Sequence, residues 1–323
     1  MAAHVAPPKV PTGAHTGALR PAKGQGDLRS NSNSTPTGFV GMYDFRGTLG
    51  KGHFAVVKLA EHVLSKLRVA VKIIDKNKLQ PDELEHLHHE VRVMKLIRHP
   101  HIIRLYQVHN TNNKLYLILE LGSGGDLYEY LNKNGKLEEG RARKLFRQIA
   151  QAMSYCHQHR VAHRDLKPEN VVFCTAKNGE EVVKVTDFGL SNNFAPGEKM
   201  KTACGSLVYT CPEILLGDPY DGPQADIWSL GVILYMMICG KLPFQEHSDT
   251  ATLIKIMDVI YKQPEHVSED CRSLLARMLV RCVGRRALVS ARLCVCVCVC
   301  FCWGAAVTSC WAPSCPEWAP FCF

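Results

Sequence analysis

The sequence predicts an α+β fold in two lobes: a small β-rich lobe over about residues 39–121 and a larger helical lobe over about 122–281. Three observations carry that expectation. Residues 43–75, YDFRGTLGKGHFAVVKLAEHVLSKLRVAVKIID, alternate in polarity and are rich in Val, Ala and Leu, the pattern of strands on a half-buried sheet. From Asp126 onward apolar residues recur three and four apart, as Leu145, Ile149 and Met153 do, which is helical spacing. The chain of 323 residues is 46% hydrophobic and 21% charged, enough for two lobes with a substantial core and far from collagen or a wholly disordered chain.

The elements follow in order. Residues 1–38 are rich in Pro, Gly, Ser, Thr and Asn, with no apolar run of signal-peptide length, and read as a disordered leader. Segment 43–75 reads as three strands, with turns at Gly50–His53 and Leu64–Leu67. A helix follows, with Leu84, Leu87, Val91 and Met94 on one face. After His99 and Pro100 come two more strands, IIRLYQV and KLYLILEL. In the second lobe a long amphipathic helix carries Leu145, Ile149 and Met153, and short strands are expected at Val171–Phe173 and Val182–Val185. Residues 226–238, DIWSLGVILYMMI, are apolar around most of a helical circumference, as a buried helix is, and too few to span a bilayer. A last amphipathic helix is expected over 268–281.

Charge and cysteine placement narrow the class. The net charge of +9 is spread along the chain and no nucleic-acid motif accompanies it, so no nucleic-acid partner is expected. Of 15 cysteines, six lie between Cys156 and Cys271 and nine in residues 282–323, while the first 155 residues have none. That is not a disulfide framework. It points to a reducing compartment, cytoplasm and nucleus. Residues 282–323 stand apart. Cys294 to Cys300 reads CVCVCVC, which an in-frame TG dinucleotide repeat would encode, so the segment reads as a translated non-coding repeat not selected to fold. The alternatives are a metal-binding or palmitoylated tail. Alternate cysteines are poor zinc spacing, and the uncharged run Leu293–Pro316 contains Gly, Pro, Ser and Thr, so no spanning helix is expected.

The chemistry lies upstream. Leu49, Gly50, Lys51, Gly52, His53, Phe54, Ala55, Val56 and Val57 form a glycine-rich hairpin whose backbone amides could approach phosphates. Ala55 stands where a third glycine is usual in such a loop. Lys72 ends the apolar strand Val69–Lys72, and Glu90, on the expected helix, could pair with it. The most specific signal is His163-Arg-Asp-Leu-Lys-Pro-Glu-Asn170, followed by Asp187-Phe-Gly189. Phosphoryl transfer needs an acceptor for a hydroxyl proton, metal ligands at the phosphates and a cation on the moving group. Asp165, then Asn170 and Asp187, then Lys167 supply them.

On these motifs residues 43–281 resemble the eukaryotic protein kinase catalytic domain. Asp-Leu-Lys-Pro-Glu-Asn is similar to the serine/threonine version. Thr202-Ala-Cys-Gly-Ser-Leu-Val-Tyr209 and Cys211-Pro-Glu213 resemble the activation segment of the AMP-activated-kinase-related group, with Cys211 where alanine is usual. The resemblance implies a bilobal kinase fold and ATP and Mg2+ as cofactors. It implies transfer of the γ-phosphoryl group to Ser or Thr of protein substrates, and an upstream kinase acting on Thr202, whose phosphate Arg164 would bind. By the same carry-over Val57, Ala70 and Val172 sandwich adenine, and Glu120 and Gly122 offer hinge backbone behind Leu119. Leu105, Met94, Phe188 and His163 stack as an apolar spine. Asp126 and Glu169 lie where the family often reads basic residues before the phosphoacceptor, or else form a solvated acidic rim. Asp226 hydrogen-bonds the catalytic-loop backbone, and Trp228 helps bury its helix.

The resemblance stops after Arg281. Arg286 falls at about the spacing at which the family arginine pairs with Glu213, but its neighbours do not match, and the last helix of the domain is expected to be absent. Such a helix buries several apolar side chains at roughly 1.5–3 kcal/mol each, against a total stability of about 5–15 kcal/mol. Three readings therefore stay open: an active kinase, a truncated and poorly active isoform serving as an ATP- or partner-binding module, and a membrane-tethered kinase using the cysteine-rich tail.

Overall fold

The structure, a computed structural model, describes residues 40–52, 54–176, 178–281 and Arg286. The N-terminal lobe holds strands β1 (Tyr43–Lys51), β2 (Ala55–His62) and β3 (Arg68–Asp75), helix α1 (Pro81–Leu96), and strands β4 (Leu105–Asn110) and β5 (Lys114–Glu120). The five strands pair antiparallel in the order β1-β2-β3-β5-β4. β3 is central, and this explains its run of buried Val69, Ala70 and Val71. Val69 and Val71 join Tyr43, Ala60, Tyr116 and Ile118 on one face, while Ala70 joins Leu117 and Leu119 on the other, against α1 and the main core. Pro81 opens α1, and Glu83 reaches back to accept the Gln80 N–H at 2.8 Å. Its buried face carries Leu87, Val91 and Met94, and among them Glu90.

One expected strand is shorter than read. The apolar run IIRLYQV enters the sheet only at Leu105. Ile103 N–H donates to Val185 O at 2.9 Å and Val185 N–H to His101 O at 2.9 Å, so Ile102 and Ile103 are bridged to the C-terminal lobe. Apolar pattern alone does not distinguish which neighbour takes a segment's backbone hydrogen bonds.

The C-terminal lobe runs α2 (Leu127–Asn134), α3 (Glu139–Gln158), β6 (Val161–Ala162), β7 (Val171–Thr175), β8 (Glu181–Val185), β9 (Asn192–Asn193), α4 (Pro212–Leu215), α5 (Gly222–Cys239), α6 (Asp249–Asp258) and α7 (Glu269–Met278). β7 pairs with β8, and β6 with β9. The shortest pieces, β6, β9 and α4, form because the surrounding fold fixes them. α5 is longer than its apolar run: Asp221 caps it by accepting the Gln224 N–H at 3.2 Å, and Gly240, at φ 70°, ends it. Trp228 of this helix stacks on Phe244, ring centroids 5.4 Å apart. α7 stops at Met278, three residues before the expected end.

The expectations for residues 1–38 and for 282–323 lie outside the described residues, with one exception. Arg286 is fully buried, and its Nη2 donates to both carboxylate oxygens of Glu213 at 2.6 Å. The guanidinium also lies 5.5 Å from the ring centroid of Trp228. The spacing at which the family arginine is expected thus located a buried ion pair. Among the described residues no helix is long and apolar enough to cross a membrane.

Removing one partner of a buried ion pair strands the other charge, and the effect is large. Arg286→Ala is expected to lower the unfolding free energy by about 3–5 kcal/mol, measured by urea denaturation. Arg286→Lys should recover only part, because a lysine cannot reproduce the guanidinium fork. A change below about 1 kcal/mol, the worth of an exposed pair, would contradict a buried anchor.

Candidate active site

The cleft is built between the sheet and β7. The hairpin of β1 and β2 pairs Gly50 with Val57 and Lys51 with Val56, and closes with Gly52 N–H on Ala55 O at 2.8 Å. Leu49 lies on β1, Phe54 between the strands, and His53 outside the described residues. Val57 lies opposite Lys72 across β2 and β3, and Ala70 opposite Leu119 across β3 and β5. Below the hinge, Val172 is buried on β7. A Cβ on Gly122 would stand 2.9 Å from Val172 Cγ2, so only glycine lets the hinge backbone come this close. Glu120 has a role not expected of it. Its side chain pairs with Lys184 Nζ at 2.9 Å and accepts the Arg104 N–H at 3.2 Å, bracing the hinge from β8.

Lys72 Nζ stands 2.9 Å from Glu90 Oε1 and 3.6 Å from Asp187 Oδ1. Glu90 is only 5% exposed. Burial alone would pull the Lys72 ammonium down; the Glu90 and Asp187 carboxylates outweigh it and hold the group above the ordinary lysine value. Asp187 sits at φ 61°, a left-handed conformation that costs a non-glycine residue energy. The Phe188 beside it is fully buried, with its ring 4.9 Å from that of His163. Met94 and Phe188 belong to the same core, and Leu105 packs against it.

The catalytic-loop candidates come together after β6. Lys167 Nζ donates to Asp165 Oδ2 at 2.7 Å and lies 3.4 Å from Ser206 Oγ. Asn170 donates its amide to Asp165 O at 2.9 Å, which leaves its side-chain oxygen for another partner. Asn170 and Asp187 thus offer hard oxygen ligands of the kind Mg2+ takes, so the residues present fit that ion. Asp226, fully buried on α5, accepts the N–H groups of His163 at 2.9 Å and Arg164 at 2.8 Å.

Thr202 is exposed, and its carbonyl accepts from Tyr220 OH at 2.9 Å. The Arg164 guanidinium does not touch it; Nη2 and Nε lie 2.8 and 3.2 Å from Cys204 Sγ. Among the described residues no carboxylate pairs with Arg164. Cys211 is buried, and burial pushes its thiol up to about 12, so it acts as an apolar filler where alanine is usual.

Asp126 and Glu169 do not form a solvated rim. Asp126 is 1% exposed and caps α2 through Oδ1, which accepts the Glu129 N–H at 2.8 Å. Asp126 Oδ2 and Glu169 Oε2 are buried with no hydrogen-bond partner among the described residues. Burial pushes both carboxyls above the ordinary range. Two residues that matter to the site carried no sequence signal. Lys184 is one, and His157, whose Nε2 lies 2.8 Å from Asp226 Oδ2, is the other. Both are joined to their partners only by the fold, 64 and 69 residues away in sequence.

Comparison with known proteins agrees with this geometry. The family described as "Protein kinase domain" matches residues 43–295, reaching past Arg281. The chain is 59% identical over 249 residues to the SNF-related serine/threonine-protein kinase of Homo sapiens, covering 77% of this chain and 32% of that protein. It is 46% identical over 251 residues to serine/threonine-protein kinase SIK2 of Gallus gallus, covering 78% of this chain and 31% of that one. The chain spans about a third of the length of these relatives, 32% and 31%.

Proposed function

The chain belongs to the protein kinase domain family, and we propose that it transfers the γ-phosphoryl group of ATP to serine and threonine residues of protein substrates. The observation that carries the reading is the convergence of Lys72, Glu90, Asp187, Asp165, Lys167 and Asn170 on one cleft. The names of the similar proteins support the serine/threonine class.

Bound ATP with Mg2+ would supply the phosphoryl group and neutralise its developing charge. The residues of this chain do the rest. Val57, Ala70 and Val172 would hold the adenine ring, with the backbone at Glu120 and Gly122 available to it. The hairpin amides at 50–52 and 54–57 would bind phosphate oxygens, and Lys72, oriented by Glu90, would hold the α- and β-phosphates. Asn170 and Asp187 would hold the metal. Asp165 accepts the proton of the attacking hydroxyl, and Lys167, 2.7 Å from it, lies where charge builds on the moving group. Glu169, half-buried, is proposed to meet a basic residue on the substrate, whereas Asp126, 1% exposed, serves as the cap of α2.

Thr202 is proposed as the target of an upstream kinase. It is exposed, and Arg164, whose guanidinium donates two hydrogen bonds to Cys204 Sγ and pairs with no carboxylate among the described residues, is available to pair with a phosphate. The six described cysteines, Cys156, Cys174, Cys204, Cys211, Cys239 and Cys271, are free thiols, which supports residence in the cytoplasm and nucleus.

The test is transfer from γ-labelled ATP to serine, threonine and tyrosine peptides, with label expected on serine and threonine. Asp165→Asn should reduce kcat by about a thousandfold or more, within the range of general-base loss, and leave ATP affinity nearly unchanged. Weak ATP binding in a folded Asp165→Asn protein would count against the assignment. Thr202→Ala should hold activity roughly tenfold or more below that of the Thr202-phosphorylated parent, because no phosphate then orders the segment. Equal activity on the same peptide would sink the activation role.

A further inference from the structure

We propose that His99 and His101 form an acid-sensitive clasp between the lobes: as neutral imidazoles they hold segment 97–104 against α3 and β8, and a proton on either ring releases it. The segment connects α1 to β4, and its backbone is tied to the C-terminal lobe. Arg98 N–H donates to Tyr155 OH of α3 at 3.0 Å. Val185 N–H donates to His101 O and Ile103 N–H to Val185 O, both at 2.9 Å. These bonds fix the exit of α1, and β8, which takes two of them, ends two residues before Asp187.

The two imidazoles complete the contact, and their partners fix where each proton sits. A carbonyl only accepts, so His101 Nδ1–H donates to Val183 O at 3.1 Å. A backbone N–H only donates, so His99 Nδ1 accepts from His101 N–H at 3.2 Å as a bare nitrogen, and the His99 proton lies on Nε2. A second proton on His99 must enter at Nδ1, facing that N–H, and the bond is lost. A second proton on His101 enters at Nε2 and charges a ring whose centroid is 5.6 Å from that of His99. On its other side His99 lies 5.2 Å from the ring of Tyr155, and Tyr155 lies 4.1 Å from that of His159.

The surroundings oppose a charge on either ring. Lys184 of β8 repels both, α3 brings Tyr155 and His159, α1 ends near Lys95, and the segment itself carries Arg98 and Arg104. Glu120 of β5 is bound to Lys184 at 2.9 Å and Glu181 of β8 to Arg141 at 2.8 Å, and among the described residues neither ring pairs with a carboxylate. Burial, then the charges of His101 and Lys184, pushes His99 down to about 4. Burial lowers His101 as well, although its bond to Val183 O works the other way. Both rings thus take up a proton less readily when docked than when released. Docking keeps its full strength above about pH 6.5, the ordinary imidazole value, and loses it as the pH falls from there toward about 4.

The test is amide hydrogen exchange of the purified full chain at about pH 7 and about pH 5, each rate divided by the intrinsic rate at that pH. The Ile103 and Val185 amides report the clasp, and the Leu230 and Val232 amides of the buried α5 report global opening. For one ring that titrates at about 4 when docked and about 6.5 when released, opening should increase roughly twentyfold between the two conditions. The increase should appear at Ile103 and Val185 and not at Leu230 and Val232, and return to pH 7 should reverse it. His99→Gln leaves an amide oxygen to accept the His101 N–H, and His101→Gln leaves an amide N–H to donate to Val183 O; neither side chain titrates. Each substitution should shrink the response, and the double variant should hold it below about threefold. Where the double variant does not fold, the two single variants decide. The proposal is overturned if the parent shows no acid response at Ile103 and Val185, if the α5 amides accelerate equally, or if the folded substituted proteins respond as the parent does.

Discussion

The ammonium of Lys72 is held between two carboxylates that come from different parts of the chain, and the shape of the cleft follows from that arrangement. Glu90 projects from the buried face of α1 and Asp187 from the loop after β8, at 2.9 and 3.6 Å from one nitrogen. A carboxylate as buried as Glu90 is stable only when paired, so α1 must keep this face toward β3. The same rotation puts Leu87, Val91 and Met94 into the core. Asp187 is reached only with a left-handed backbone, and that strain is held by the burial of Phe188 against His163. Sheet, helix and loop thus share one electrostatic knot.

A second set of buried charges organises the other lobe. Asp226 gathers the start of the catalytic loop onto α5, and Glu213 is tied to the same region by Arg286, whose guanidinium lies over Trp228 of that helix. α5 suits this task because nearly every one of its residues is buried, so groups anchored to it have little freedom to drift. Catalytic loop, activation segment and Arg286 all refer to this single buried element.

The sequence was legible where local pattern and chemistry coincide. The alternation in 43–75 predicts β1 to β3, and the apolar run in 226–238 predicts a buried α5, because each is a periodicity set by burial. The site residues could be read because phosphoryl transfer demands particular groups at short spacings, as in 163–170 and 187–189. What could not be read was set by tertiary partners. Ile102 and Ile103 left the expected strand because β8 offered their backbone better hydrogen bonds. His157 and Lys184 lack any local signal, since their partners Asp226 and Glu120 are distant in sequence. Asp126 and Glu169 could be read in sequence either as a solvated rim or as a site for a basic residue, and the fold buries one oxygen of each. Arg286 is the intermediate case, in which spacing to Glu213 located a buried pair although its immediate neighbours gave no further signal.

If the Lys72–Glu90 pair sets the cleft for transfer, single-turnover transfer from ATP to a serine peptide should separate the parent chain from Glu90→Gln, which keeps the shape of residue 90 and removes its charge. The expected rate for Glu90→Gln is lower by roughly ten- to a hundredfold, the effect of a misplaced phosphate contact, in a protein that still unfolds cooperatively. Equal rates for the two proteins would mean that the pair does not set the cleft.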